Sequence, residues 1–222
     1  GSEMCIRDRT VSGVQIDPTA VTPADIVGAV TADGVESGME VIRQIFPKLN
    51  MTPGILLAPG WSENALVSAG LQAKTSHING VFNCVCIVDI DSSTAGATKY
   101  DDVKRQKEKQ AVTSANCYAV WLYAKVGDVI YAGSAMAAAA TVATDANNGD
   151  IPNVSPDNKP ISISAACLKD GTEVLLDQEQ ANVVNSFGVA TWLNMNGFRL
   201  WGNNTACYPG NTDPKDRWFS VR

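Results

Sequence analysis

Histidine is nearly absent from this chain: His77 is the single one in 222 residues. Any Ser-His-Asp hydrolase built on this sequence would have to use it. The nucleophile elbow G-x-S-x-G is missing, because Gly60-Trp61-Ser62-Glu63-Asn64 has the first half and lacks the last glycine. Neither G-x-x-x-x-G-K-[ST] nor G-x-G-x-x-G occurs, so the usual glycine-rich phosphate cradles are lacking. Basic residues are in deficit, with 17 Lys and Arg against 23 Asp and Glu and a net charge of -6. That balance argues against a nucleic-acid partner, which calls for a basic footprint, and against an anionic membrane surface. No apolar run approaches the length of a bilayer span, and the longest, Ser134 to Val142, is short and mostly alanine. A secretory signal pattern is also missing.

Cysteine is present six times, as Cys5, Cys84, Cys86, Cys117, Cys167 and Cys207, but never as C-x-x-C. This argues against a zinc ribbon or a thioredoxin-type site. Cys84 and Cys86 are two apart in an apolar run, so they share one face of a strand and are badly placed to bond each other. They are expected to be reduced core residues in a protein that folds in a reducing cytoplasm. Hydrophobic content of 45% with 18% charge is that of an ordinary globular protein, enough for one sizeable domain or two small ones.

Three regions are expected. Gly1-Ser2 resembles a cloning scar and Glu3-Met4-Cys5-Ile6-Arg7-Asp8-Arg9 the translated end of a library-preparation transposon, so residues 1–9 are excluded as an artefact. Residues 10–50 form an N-terminal helical segment and 51–222 a core domain. The apolar close Trp218-Phe219-Ser220-Val221-Arg222 gives the expectation of an internal fragment, cut before a C-terminal domain.

Along the chain, Thr22-Pro23 marks an N-cap and first helical residue for a short helix to about Val30. Ser37 precedes a helix with Met39, Val41, Ile42, Ile45 and Phe46 on one stripe, which Pro47 ends or kinks. Gly54–Gly60 is a short strand and turn. Ser62 is the expected N-cap of a helix to about Ser76. Val81 to Ile90 is a strand of continuous apolar character, as suits burial on both faces of a parallel sheet. Asp101 to Ala111 is a charged, solvent-facing helix, with Asp101–Arg105 and Lys104–Glu108 four apart. Tyr118–Tyr123 is a strand, Lys125–Asp128 a turn, and Val129–Ala132 extends again. Ser134 caps an Ala-rich helix to about Ala143. Ile161–Ser164 is a strand, Asp177–Ser186 a helix burying Val183 and Val184, and Val189–Leu193 a strand. Asn196-Gly197 is a hairpin signal, after which Phe198–Trp201 pairs back. The alternation predicts an α/β fold with a mixed, mostly parallel sheet flanked by helices.

The candidate chemistry is thin. His77 closes a helix, where histidine is a routine end residue. Asp89 and Asp91 close a strand at the edge where parallel sheets bind ligands, yet a magnesium or nucleotide site would need a phosphate loop as well. The ordinary reading is that they cap turns or pair with neighbouring chains. The helix at 101–111 is a solvated face or an ionic contact between subunits. The Ala-rich helix packs on its own sheet or against another subunit. Trp192, Phe198 and Trp201 form the core of the hairpin. No catalytic, cofactor-binding or metal-binding residue is assigned, and neither nucleic acid nor membrane insertion is expected.

The most telling feature is the polar stretch 144–159, from Thr144-Asp145 through Gly149, Pro152 and Ser155-Pro156-Asp157-Asn158. A loop of this length in a compact domain is uncommon and usually functional. It is followed by Gly197-Phe198-Arg199-Leu200-Trp201-Gly202-Asn203-Asn204-Thr205. In order and spacing the two resemble the "TD…G…P…SPxN" and "GfrlWGnrT" signatures of the tail sheath proteins of contractile-tailed phages, including tailocin and injection-system sheaths. Gly54–Gly60 and Val81–Asp91 are similar to two further strands of that family, so the resemblance runs from about Thr52 to Arg222. Asn204 departs from it, standing where the family often has Arg.

The resemblance implies a sheath core of hydrolase-like architecture without a catalytic triad, hence a structural protein and not an enzyme. It implies stacked hexameric rings of sheath subunits around an inner tail tube, with baseplate and tail terminator as further partners. Extended arms add strands to the sheets of neighbouring subunits. Contraction then drives the tube through the target envelope. The protein would sit in a virion tail assembled in the bacterial host cytoplasm. Without its arms this chain is expected to be monomeric or weakly associated. The rival reading is a small soluble α/β enzyme or nucleotide-binding domain.

Overall fold

A computed structural model describes residues 20–219. The expected artefact at 1–9, the first part of the 10–50 segment and the close of the chain at 220–222 lie outside the described residues.

The fold is organised by one strand, β2 (Val85–Ile90), whose six residues are all buried. It is flanked in parallel by β1 (Ile55–Leu57) and β3 (Cys117–Trp121), in the order β1-β2-β3. The register sets Leu56 beside Cys86, Cys86 beside Cys117, and Ile90 beside Trp121. A continuous run of β-branched and sulfur side chains is stable in such a position because both faces are covered. The covers are α3 (Ala65–Ala73), α4 (Val103–Lys109) and the long α5 (Gly133–Asn147), and α5 lies across all three strands. Ser68 Oγ of α3 donates to Gln110 O just past α4 at 3.0 Å, which locks these two helices together.

The expectation of a mostly parallel sheet is corrected to a mixed architecture. The parallel ladder stops at β3, apart from a bridge to Ala190, whose N–H donates to Ala119 O. Leu122 has φ of 84° and turns the chain from β3 into β4 (Tyr123–Val126). β4 pairs antiparallel with β5 (Val129–Tyr131) and β6 (Ala165–Cys167). β7 (Thr191–Asn194) and β8 (Phe198–Trp201) form an antiparallel hairpin around Asn196-Gly197, as expected. For the β4–β5 and β7–β8 pairs the reason is connection length. Gly127-Asp128 and the Asn196-Gly197 turn leave no room for the crossover that a parallel partner requires.

Several boundaries also move. Ser62 is not the N-cap of α3; Asn64 is, its Oδ1 accepting from Leu66 N at 2.9 Å. The strand expected from Val81 begins at Val85, because His77, Asn79 and Gly80 take positive φ and turn the chain there. Lys125 and Val126 belong to β4, so that turn shrinks to its glycine and aspartate. The strand expected at 161–164 is displaced to β6, while Pro160 bridges Arg199 beside β8. Of the two valines assigned to α6 (Gln178–Ser186), Val184 is fully buried and Val183 half-buried.

The N-terminal segment is helical: α1 (Pro23–Val27) starts with a Thr22–Asp25 capping box. A 3-10 stretch over Gly38–Gln44 then runs into α2 (Ile45–Leu49). Pro47 sits in the first turn of α2, where a missing N–H costs nothing, and the helix ends at left-handed Asn50. Of the expected stripe, Met39 and Ile42 are buried while Val41 and Phe46 are exposed. Gly70 of α3 admits this segment, since a Cβ there would lie 3.2 Å from a Val27 methyl and 3.3 Å from Met39 Sδ.

Gly133, the first residue of α5, touches the bend at Leu122: a Cβ would lie 2.4 Å from Leu122 O and 3.0 Å from a Val120 methyl. Gly133→Ala, which favours a helix elsewhere, is therefore expected to destabilise the protein by about 1–3 kcal/mol. Urea unfolding of the two proteins measures it.

Candidate functional site

The residues singled out by sequence fall into three places. At the C-terminal end of β2, Ser62 and Asp89 meet. Ser62 Oγ donates to Asp89 Oδ2 at 2.9 Å and accepts from Asp89 N at 3.0 Å. Ser134 N donates to Asp89 Oδ1 at 2.6 Å and Ser134 Oγ to Oδ2 at 2.5 Å. The N-cap position of α5 is Ala132, which has no capping group. Asp89 supplies the cap from a neighbouring strand instead, placing a carboxylate at the positive end of the helix. Burial pushes the Asp89 carboxyl up, while hydrogen bonds from Ser134 and Ser62 work to keep it ionised.

Asp91 is occupied likewise. Its N–H donates to Gln110 Oε1 at 3.0 Å and its Oδ1 accepts from Ser93 N at 2.9 Å, so it closes a turn. The same Gln110 amide donates to Asp89 O at 3.0 Å. His77 is exposed at the far end of α3 and lines a surface cleft of 560 Å³ with Glu36, Arg43, Pro47 and Lys48. Neither Ser62 nor Asp89 reaches that cleft, so the three side chains of a hydrolase triad are not brought together.

The second place is the polar stretch. Its first four residues are the last turn of α5, which continues to Asn147, with Thr144 Oγ1 donating to Ala140 O at 2.7 Å. The rest lies along the hairpin and meets the second signature residue by residue. Ser155 Oγ bonds Asn203 Oδ1 at 2.5 Å, and Asp157 Oδ1 accepts from Gly202 N at 2.7 Å. Asn158 N donates to Leu200 O at 2.7 Å, and Arg199 donates to Asn158 O at 2.9 Å. Ile161 N closes on Phe198 O at 2.9 Å. The loop thus becomes a further edge beside β8. Gly202 holds φ of 138° there, and a Cβ would lie 3.0 Å from Ala190 Cα.

The third place is α4, expected to face solvent. Arg105 is exposed and pairs with Asp102 at 2.8 Å, one residue nearer than the expected Asp101. Val103, Gln106 and Lys107 are buried. Lys107 Nζ donates to Phe187 O, Ala206 O and Tyr208 O at 2.5, 2.7 and 2.9 Å. Sequence reasoning missed Lys107 and Gln110. The available signal was the spacing of Val103, Gln106 and Gln110, which draws a buried stripe through the charge run.

The remaining assignments concern packing. The Ala-rich helix sets Ala137, Ala138 and Ala140 on the sheet of its own chain, the ordinary reading of the two. Trp192 is buried, its indole N–H donating to Leu122 O at 3.1 Å, while Phe198 and Trp201 are half-buried. Asn204, the departure from the family's Arg, accepts from Arg217 Nε at 2.8 Å and donates to Asn185 O at 3.1 Å. Cys84, Cys86, Cys117, Cys167 and Cys207 are free thiols.

No protein-family model matches the chain. It is 25% identical over 206 residues to the tail sheath protein of Burkholderia phage BcepMu, covering 87% of this chain and 41% of that protein. It is 26% identical over 203 residues to a prophage major tail sheath protein of Pseudomonas aeruginosa (strain UCBPP-PA14), covering 87% of this chain and 49% of that one. The chain therefore spans less than half the length of these relatives. Among solved structures, a chain of the anti-feeding prophage baseplate superposes with a TM-score of 0.55 at 16% identity, over 95% of this chain and 55% of that one. A chain of the contracted helical sheath of the same particle gives 0.54 at 17%, over 81% and 46%.

Two outcomes follow from this geometry. Asp157→Ala removes the acceptor for Gly202 N and is expected to cost about 1–2 kcal/mol, with faster amide exchange confined to 148–161 and 199–203. The second concerns pH. A carboxyl raised by burial favours the folded state below its unfolded value, about 3.9, and that contribution is lost as pH rises through the folded value. Wild type is therefore expected to lose stability relative to Asp89→Asn as pH rises above about 4. Paired denaturant titrations would show it, and parallel curves would refute it.

Proposed function

We propose that this chain is the core of a contractile tail sheath subunit, a mechanical building block and not an enzyme. The observation that carries this reading is the joining of the two signature segments. The Ser155-Pro156-Asp157-Asn158 loop and the segment 198–203, β8 and the two residues after it, lie far apart in sequence and interlock through paired backbone and side-chain bonds. Each of the two curated relatives named as sheath proteins matches 87% of the chain, and the structural neighbours share its mixed α/β fold.

In this role the subunit assembles with other copies into stacked hexameric rings around an inner tube, between a baseplate and a tail terminator, in a phage tail or a related injection particle. Arms outside the core link neighbours by strand addition. The parallel sheet and its helices move as one body when the sheath contracts. Its α/β core has a hydrolase-like outline, but an outline imports no chemistry. Ser62 and Asp89 bond to each other and cap a helix.

Negative-stain electron microscopy of the complete gene product is the test. Hollow tubes or stacked six-fold rings are expected. Dispersed monomers at high concentration would overturn the reading and favour ligand screening.

A further inference from the structure

Residues 203–219 form a closed loop laid against the core. At its base Thr205 N donates to Arg217 O at 2.7 Å and Phe219 N to Asn203 O at 2.9 Å, with Asn204 paired antiparallel to Trp218. The loop carries its own internal order. Thr205 Oγ1 donates to Asp216 O at 2.6 Å, Asn211 Nδ2 donates to Asp216 Oδ2 at 2.9 Å, and Asp213 caps the short helix α7 (Pro214–Arg217). The Arg217 guanidinium lies 4.3 Å from the ring centroids of both Tyr208 and Trp218. This is an Ω-type loop, closed at its neck and packed by its own side chains. None of these internal bonds involves the parallel sheet.

The loop is fastened to the core by a different set of contacts. Ala206 N donates to Cys117 O at 2.8 Å, and the Phe219 ring stacks on Tyr118 at 4.2 Å. Asn204 Nδ2 donates to Asn185 O at 3.1 Å and Asn203 Oδ1 accepts from Ser155 Oγ at 2.5 Å. The remaining fastening is Lys107. A lysine ammonium has three protons, and here each has a carbonyl. Two of those carbonyls, Ala206 O and Tyr208 O, belong to the loop, and the third, Phe187 O, to the residue after α6. Among the described residues its hydrogen-bond partners are these three carbonyls, with no carboxylate in direct ion-pair contact. Burial pushes the ammonium down to about 8. A buried cation without a counter-ion is costly, and the cost is met only while all three carbonyls converge. Gly188 leaves them room: a Cβ there would lie 2.4 Å from Tyr208 O and 3.1 Å from Lys107 Nζ.

We propose that Lys107 is a clasp, an internal cation that holds residues 203–219 on the core as a strap able to release as a unit while the parallel sheet stays folded. Release removes a costly buried charge to water and keeps the internal bonds of the loop. The two halves of the transition are therefore unusually well matched. The strap includes Asn203, the partner of Ser155, so its release also loosens the docked polar loop.

Native-state hydrogen exchange read by mass spectrometry tests this. In wild type, peptides covering 203–219 are expected to exchange together and faster than those of β2 and β3. Lys107→Met keeps the stem and removes the charge. It is expected to speed exchange of the strap about tenfold or more, with β2 and β3 unchanged, and to make trypsin cut first after Lys215 or Arg217. Strap and sheet exchanging at one common rate in wild type would overturn the proposal, whether or not the variant folds. So would a Lys107→Met protein whose strap exchanges as in wild type, or one whose sheet and strap accelerate equally.

Discussion

A carboxylate buried at the end of a central strand is tolerable only if its oxygens are used, and much of this fold is built around how Asp89 uses them. Oδ1 takes the free N–H of Ser134, and Oδ2 takes the hydroxyls of Ser134 and Ser62. Charge-assisted bonds of this kind are worth about 1.5–3 kcal/mol each. They fix three elements at one point: the turn after β1, the end of β2 and the start of α5. Gln110 extends the node by donating to Asp89 O and Ser62 O and accepting from Asp91 N. That brings in the turn after α4. Without this node α5 would begin at an alanine with no cap, against a sheet edge carrying unpaired charge.

From that node the chain divides into a parallel half and antiparallel attachments. The division rests on the bend at Leu122. Its backbone is left-handed, a conformation costing an ordinary side chain about 1–2 kcal/mol. It persists because its carbonyl accepts from the Trp192 indole and its side chain is 2% exposed. Past the bend, β4 starts a separate antiparallel sheet, tied back by Lys169, whose N–H donates to Ser92 Oγ and whose ammonium pairs with Glu63. The polar loop is fixed in the same manner, as an added edge on β8. A long polar segment would ordinarily be the mobile part of a domain. Here it is pinned by backbone pairing on a strand, so the surface it presents moves with the core.

Some of this was legible in the residues and some was not. The continuous apolar run ending in Asp89 identified a strand buried on both faces, because composition alone marks such strands. Asn196-Gly197 identified its hairpin, because only a narrow set of residues takes those angles. The cap of α5 was misassigned to Ser134, since local pattern cannot show that a distant carboxylate has taken the task. Lys107 was read as solvated for the same reason: its partners are carbonyls from α6 and the strap, and carbonyls leave no mark in a sequence. The mostly parallel sheet was overextended because strand–helix alternation does not show in which direction β4, β6 and β8 run. Their direction depends on connection length and on a bend at a leucine that nothing local announces. The two polar segments were legible as a pair only through their resemblance to sheath signatures. Their spacing says nothing of contact.

The same features bear on what kind of protein this is. In open α/β sheets, ligands bind outside the carboxyl ends of the parallel strands, where polar side chains converge on a cleft. This chain has polar side chains at that edge, but they converge on one another. Ser62 is fully buried, and Asp89 is 2% exposed. A nucleophile must be reachable and a general base must hold a proton position open. Ser62 donates its one proton to Asp89, accepts from the Asp89 N–H and is fully buried, so its hydroxyl faces the node and not a cleft. The polar groups at this edge are committed to joining secondary-structure elements. An edge whose hydrogen bonds are all internal resists deformation under force, because shifting any one element breaks bonds in the others. Compliance in this fold must then lie at the periphery, in attachments such as the 203–219 loop, whose own bonds survive a change in how it is held.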